Sequence, residues 1–193
     1  MAVAEALLGL WFFLPAYVAN PMAALLGGGT PIDFGRSLRD GHRVFGDGKT
    51  WRGLAGGIVS GIVIGLLLHL GGSAVSPALS FGATLGVATT AIVEATAAIV
   101  LLAAGALLGD LAGAFVKRRL GKPRGAPVLG LDQYDFVAGA FALLLVFDRD
   151  WWLPRYGYGD AIYGLVLVIV ITPLLHRAVN ILGYRMGTKR EPW

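Results

Sequence analysis

Gly109-Asp110-Leu111, then Lys117-Arg118-Arg119, Lys122, Arg124-Gly125 and Leu131-Asp132-Gln133-Tyr134-Asp135 form the stretch on which the reading of this chain turns. It holds three of the 12 acids and five of the 16 basic residues, set between two long apolar runs. A carboxylate at the rim of a membrane is costly to desolvate and needs a cation or a partner charge. Asp132 and Asp135 stand three residues apart, so on a helix they share one face. Asp110 arrives from the end of the preceding apolar run, and a basic segment lies between. Three hard-oxygen carboxylates beside such a segment suit a divalent cation and a polyphosphate, because Mg²⁺ binds through one or two carboxylates while substrate phosphates supply the rest.

Composition sets the solvent. Of the 193 residues 56% are hydrophobic and only 15% are charged, which is not the balance of an ordinary water-soluble domain. The net charge of +4 suggests nucleic acid at first sight, but the basic residues sit in short segments between apolar spans, so no nucleic-acid partner is expected. With no cysteine, disulfides and thiolate metal sites are excluded. Glu5 and the lack of a basic N-terminal region argue against a cleaved signal peptide, so the first apolar run reads as a spanning helix.

Five spans follow, at Glu5–Leu26, Leu54–Leu70, Phe81–Gly109, Gln133–Phe147 and Ala161–Gly183. The expected fold class is all-α: a polytopic membrane protein of about five transmembrane helices in one domain, residues 1–193. Glycines within the spans (Gly56, Gly57, Gly61, Gly65) suit close helix packing. Arg36, Arg39, Arg43, Lys49 and Arg52 follow span one; Lys117, Arg118, Arg119, Lys122 and Arg124 follow span three; Arg185, Lys189 and Arg190 end the chain. The segment after span two has no basic residue, and that after span four has only Arg149 and Arg155. The positive-inside rule then puts the N-terminus outside, the C-terminus in the cytoplasm, and loops of about 27–53 and 111–131 on the cytoplasmic side. Trp151, Trp152, Tyr156 and Tyr158 are expected as an aromatic rim on the outer face.

The Gly-Asp, Lys-Arg, Lys, Gly-containing loop and Leu-Asp-x-x-Asp order resembles the signature of the phosphatidate cytidylyltransferase superfamily. Pro31-Ile32-Asp33-Phe34-Gly35, Asp40-Gly41-His42-Arg43 and Gly46-Asp47-Gly48-Lys49-Thr50-Trp51-Arg52-Gly53 resemble its short archaeal branch, CDP-archaeol synthase, and the similarity covers essentially the whole chain. The loop before Leu131 departs from the bacterial branch: it reads Ala126-Pro127-Val128-Leu129-Gly130 and lacks a His-Gly-Gly. The resemblance implies cell-membrane location and an Mg²⁺-dependent transfer of a cytidylyl group from CTP to an isoprenoid ether lipid phosphate, 2,3-bis-O-geranylgeranylglycerol 1-phosphate. It also makes the Gly46–Thr50 loop part of the CTP site, with Lys49 and Thr50 on phosphate. Asp110, Asp132 and Asp135 are the expected metal ligands and, with Lys122, the catalytic set. Lys117, Lys122 and Arg124 are the preferred phosphate contacts.

Each motif has a plainer reading. The aspartates cap helices or pair with neighbouring cations, Asp132 as N-cap of span four. The basic run touches anionic headgroups, and Arg118 and Arg119, as helix neighbours, point in different directions. Gly46–Thr50 is not a P-loop, since Arg43 stands where glycine is required. Asp33, Asp40 and Asp47 serve either metal support or pairing within their loop. Asn20 either faces the nucleotide or only precedes the kink at Pro21. Glu94, deep in span three, is 16 residues or about 24 Å from Asp110 along a helix and too far to share its metal. His42, His69 and His176 match no metal or triad spacing and read as structural. A CDP-alcohol phosphotransferase would need Asp-x-x-Asp-Gly-x-x-Ala-Arg, but Phe136 follows Asp135; an ion transporter would place its acids at mid-membrane. The oligomeric state is not legible.

Overall fold

Runs of Ala, Leu, Val and Gly without internal charge form helices where a bilayer withholds water from the backbone. In the computed structural model, which describes residues 2–82, 88–123 and 126–187, each such run is helical. The order is α1 (Ala2–Leu25), α2 (Trp51–Val75), a 3₁₀ turn (Pro77–Leu79), α3 (Ala88–Arg119), α4 (Leu131–Phe147), the single turn α5 (Arg149–Trp152), a π turn (Leu153–Gly157), a 3₁₀ turn (Gly159–Ala161) and α6 (Ile162–Arg185). Among the described residues there is no β-strand, only two isolated antiparallel bridges, Pro31 to Thr50 and Ser37 to Arg43. The all-α membrane fold expected from the sequence is therefore observed. Among the described residues four helices are long and apolar enough to cross a bilayer: Ala2–Leu25, Trp51–Val75, Thr90–Arg119 and Gly159–Arg185. The fifth expected span, α4, has 17 residues.

Glycine periodicity explains how α2 packs. Gly53, Gly57, Gly61 and Gly65 recur every fourth residue and are buried along one stripe. A Cβ on Gly57 would stand 2.7 Å from both the Ala19 carbonyl oxygen and the Leu107 side chain, and one on Gly61 would stand 2.7 Å from the Ala103 methyl. The stripe thus lets α2 lie directly on α1 and α3, in the small-residue mode of membrane helix packing.

Two boundaries differ from expectation for physical reasons. Hydropathy ends span three at Gly109, yet α3 continues to Arg119, because a helix that leaves the apolar zone need not stop there. It ends at a Schellman turn: Gly121 takes φ +67°, its N–H donates to Arg118 O at 3.0 Å, and Lys122 N–H donates to Lys117 O at 3.0 Å. Residues 111–119 are accordingly helix rather than loop. Glu94 lies six residues into α3, exposed, with its charge acting on Asp148 and Arg155, and so sits toward the helix start rather than deep within the span.

The expected aromatic rim is also corrected. Trp151 and Tyr156 are buried, with Trp151 Nε1 donating to Phe81 O at 2.6 Å and Tyr156 Oη donating to Gly9 O at 2.7 Å. Phe12 meets Phe81 edge-on at 5.1 Å and Trp151 at 5.8 Å, and Phe141 lies 4.9 Å from Tyr156. The short turns after α4 fold inward and close this end of the bundle with rings; Tyr158 alone of the four is exposed.

Candidate active site

Opposite the aromatic end, α3 and α4 run against each other along a seam of small residues. On α3, Asp110, Gly113 and Lys117 fall at i, i+3 and i+7; on α4, Asp132, Asp135 and Gly139 do the same. The two stripes face one another. A Cβ on Gly105 would stand 2.7 Å from Gly139 O and from Ala140 Cα, and one on Gly109 would stand 2.9 Å from Gly139 Cα while striking the Asp135 carbonyl oxygen. A Cβ on Gly113 would overlap the Asp135 carboxylate itself, 2.8 Å from the Asp135 Cβ. Asp135 therefore occupies the space that glycine leaves open at position 113. One turn further on, Lys117 Nζ donates to Asp132 Oδ1 at 2.8 Å. The other Asp132 oxygen accepts from Val128 N at 2.9 Å, while Gly130 and not Asp132 stands at the N-cap of α4.

The third component comes from residues 27–50, a folded segment rather than a slack loop. Asp33 is its hub. Its buried carboxylate accepts from the backbone N–H groups of Gly35 (3.1 Å), Phe45 (3.0 Å) and Gly46 (2.8 Å) and from Arg43 Nη2 (2.5 Å) and Nε (3.2 Å). Arg43 Nη1 also reaches Asp47 at 2.8 Å. Ile32 N–H donates to Lys49 O at 2.8 Å, closing the segment at its base. The ammonium of Lys49 then pairs with Asp110 on α3. The Arg43 guanidinium and three N–H donors hold the Asp33 carboxyl well below the ordinary carboxylate range. The His42 N–H, and after it Arg119, likewise keep the Asp40 carboxyl below that range.

Five of the residues singled out from the sequence thus meet at one end of the α3–α4 seam: Lys49, Asp110, Lys117, Asp132 and Asp135. The charges acting on Asp135 are those of Asp110, Lys49 and Asp132. Thr50 is buried and N-caps α2, its Oγ1 accepting from Gly53 N at 3.1 Å, which leaves the hydroxyl proton to donate. Lys122 is exposed on the turn that ends α3. Asn20 is half-buried on α1, which continues unbroken through Pro21 to Leu25. Arg124 lies outside the described residues. Asp33, Asp40 and Asp47 all pair with arginines, Asp40 with Arg119 of α3 at 2.6 Å. His69 is buried, with its Nδ1 accepting from Phe81 N at 3.3 Å, in keeping with a structural role.

Among the described residues no three His, Cys, Asp or Glu side chains stand ready-formed as a metal cage. The donor chemistry nevertheless fits a hard divalent cation. Two of the carboxylates are neutralised by ammonium groups, and the third, Asp135, has Phe136 N as its hydrogen-bond donor at 2.7 Å and no cation bonded to it among the described residues. Like charges gathered at a half-buried site call for a further positive charge, and oxygen-only donors favour Mg²⁺-like ions over softer metals. Sequence reasoning did not find Gly113, which seats the Asp135 carboxylate, nor the role of Arg43. A small residue three places after Asp110 was the available signal for Gly113.

Residues 3–193 match the model of a protein family described as CarS-like CDP-archaeol synthase. The chain is 49% identical to a CDP-archaeol synthase of Methanoculleus marisnigri, over 93% of this chain and 99% of that one. It is 41% identical to a CDP-archaeol synthase of Pyrococcus horikoshii over the full length of both. A solved structure of an intramembrane enzyme for archaeal membrane lipid biosynthesis superposes with a TM-score of 0.63 at 36% identity, covering 89% of this chain and 92% of that one.

Proposed function

The chain belongs to the CarS-like CDP-archaeol synthase family, and we propose on that premise that it moves a cytidylyl group from CTP to a membrane lipid phosphate. The lipid we assign is 2,3-bis-O-geranylgeranylglycerol 1-phosphate, whose isoprenoid chains lodge among the helices. A phosphate oxygen of the lipid attacks the α-phosphorus of CTP, the bond to the bridging α–β oxygen breaks, and its electron pair leaves with pyrophosphate. A phosphate monoester has its second pKa near 6, so the nucleophile is already ionised at neutral pH and needs no protein base. That agrees with a site without a Ser–His or Cys–His pair. Catalysis then rests on positioning and on neutralising charge.

The observation that carries this reading is the convergence of Asp110, Asp132 and Asp135 with Lys49 and Lys117 at one rim of the bundle. Lys49 and Lys117 offer ammonium groups to phosphate oxygens, with Lys122 on the adjoining turn and Arg124, which follows it in the sequence, as further contacts. Asp110, Asp132 and Asp135 would hold Mg²⁺, which supplies Lewis-acid neutralisation of the phosphates. Gly109 lets the α4 backbone approach α3, and Gly113 leaves the space that the Asp135 carboxylate occupies. The same rim carries most of the lysines and arginines, so we assign it to the cytoplasmic side of the cell membrane, where CTP is present. With α4 as the fifth crossing, of about 25 Å at 1.5 Å per residue, the N-terminus is outside and the C-terminus inside.

The test is direct: purified protein in lipid nanodiscs is given Mg²⁺, labelled CTP and the geranylgeranyl ether lipid phosphate. We expect stoichiometric pyrophosphate and CDP-lipid; CTP left intact with every phosphatidic-acid-type lipid contradicts the reading.

A further inference from the structure

Resting on that reading, we propose that Arg119 is a positioning residue: a latch that holds the 31–50 segment on the end of α3 and so delivers Lys49 to Asp110. Its Nη1 donates to Asp40 Oδ2 at 2.6 Å, and its Nη2 donates to His42 O at 3.1 Å and to Arg43 O. The guanidinium plane lies over the Phe115 ring of α3, 5.1 Å from its centroid, and the Phe45 ring lies 6.4 Å from the same ring. One side chain thus grips a carboxylate, two consecutive carbonyls and its own helix, a fork that lysine lacks. Both terminal nitrogens are engaged inside the protein, and Nε is buried without a partner. The terminal nitrogens of Arg119 are thus spent on the 31–50 segment.

The grip is transmitted. The residue whose carbonyl Arg119 holds, Arg43, binds Asp33 and Asp47; Asp33 fixes the amides of Phe45 and Gly46; and the Lys49 N–H donates to Gly46 O at 3.2 Å. Arg119 on the helix and Arg43 in the segment form two stages of one device, with Lys49 at its end. Releasing the first stage lets the segment lift without touching α3 or α4. CTP then selects a closed state that is only fractionally populated, so its apparent affinity falls by that fraction while the rate at saturation is kept.

The experiment is steady-state kinetics on full-length Arg119→Gln, Arg119→Lys and Asp40→Asn in nanodiscs, with hydrogen exchange followed by mass spectrometry. Arg119→Gln is expected to raise KM for CTP about tenfold, the loss of one charge-assisted bond, and to leave kcat within about twofold. Exchange is expected to quicken in residues 31–50 and not in α3 or α4. Arg119→Lys, which keeps the charge facing Asp40, is expected to recover part of the KM change, and Asp40→Asn to show a smaller change of the same kind. A fall in kcat at unchanged KM would make Arg119 a direct contact of the reacting phosphates and overturn the latch; unchanged kinetics would overturn it too. If Arg119→Gln loosens the whole bundle, Asp40→Asn decides, and an unchanged KM there rejects the proposal. A wild-type protein that does not turn CTP over sinks the cytidylyltransferase reading instead, and the local exchange change still reads the latch.

Discussion

Follow the bundle from one end to the other and its interior changes character. At one rim Lys49 pairs with Asp110 and Lys117 with Asp132, and Asp135 lies against Gly113 beside them. At the other, Phe12, Phe81, Trp151 and Tyr156 fill the space with rings whose polar atoms bond to backbone carbonyls. At the aromatic end the indole N–H of Trp151 and the hydroxyl of Tyr156 have carbonyl acceptors, while Trp152 Nε1 and Arg155 Nε are buried without a partner among the described residues. The charged end gathers three carboxylates within reach of two lysines, which leaves room for a further cation. Glycine serves two purposes in the bundle. Along α2 it brings backbones together, whereas at Gly113 it leaves space for one functional carboxylate.

Substitutions sharpen the contrast, beginning with the largest effect. Asp135→Asn should lower the rate of pyrophosphate release by about 10²–10³-fold, the scale for losing one element of charge stabilisation, with the thermal midpoint little changed. Full activity in that variant would remove Asp135 from the site. Gly113→Ala pushes a methyl into the Asp135 carboxylate, and a fall of about tenfold or more in kcat/KM is expected. Gly109→Ala instead meets the Asp135 carbonyl and Gly139 Cα, so it should cost about 1–3 kcal/mol of stability by overpacking, measured by thermal unfolding in detergent. If both variants lost stability and activity in parallel, the distinction between seam and seat would fail.

Acid should act on the 31–50 segment late. The Asp33 carboxyl is depressed in the folded protein, so its stabilising contribution is fully present above the unfolded value of about 4. The contribution is lost only as pH falls through the lower folded value. The difference in thermal midpoint between wild type and Asp33→Asn should therefore be constant from neutral pH down to about 5 and shrink below about 4. A difference that vanished already near neutrality would contradict the Asp33–Arg43 assignment. The smallest effect belongs to the aromatic end. Tyr156→Phe removes the bond to Gly9 O and should cost about 1 kcal/mol with turnover unchanged.

These regions were not equally legible in the sequence. Asp110, Asp132 and Asp135 stood out because a carboxylate among apolar residues is costly, and the spacing of the last two fixed a shared helix face. Lys117 stood out because it lies between those acids, and Lys49 because the Gly46–Thr50 loop resembles the family's CTP site. The run of residues 111–119 did not read as helix, because hydropathy reports the depth of the membrane and not the reach of the hydrogen-bond ladder. Arg119 could not be told from Arg118, since its partners, Asp40 and two carbonyls, are about 80 residues away in the chain. Trp151 and Tyr156 suit a membrane rim and a core equally well by composition; only the inward folding of residues 149–161 decides between them.

The central claim is that carboxylates from α3 and α4 together hold a divalent cation for the nucleotide. Manganese offers the most direct probe, as its free-ion paramagnetic resonance signal disappears on binding. Titrating Mn²⁺ into wild-type protein and Asp135→Asn should show a site in the wild type whose affinity drops about tenfold or more in the variant, with Mg²⁺ competing for it. Equal Mn²⁺ binding by the two proteins would contradict the account.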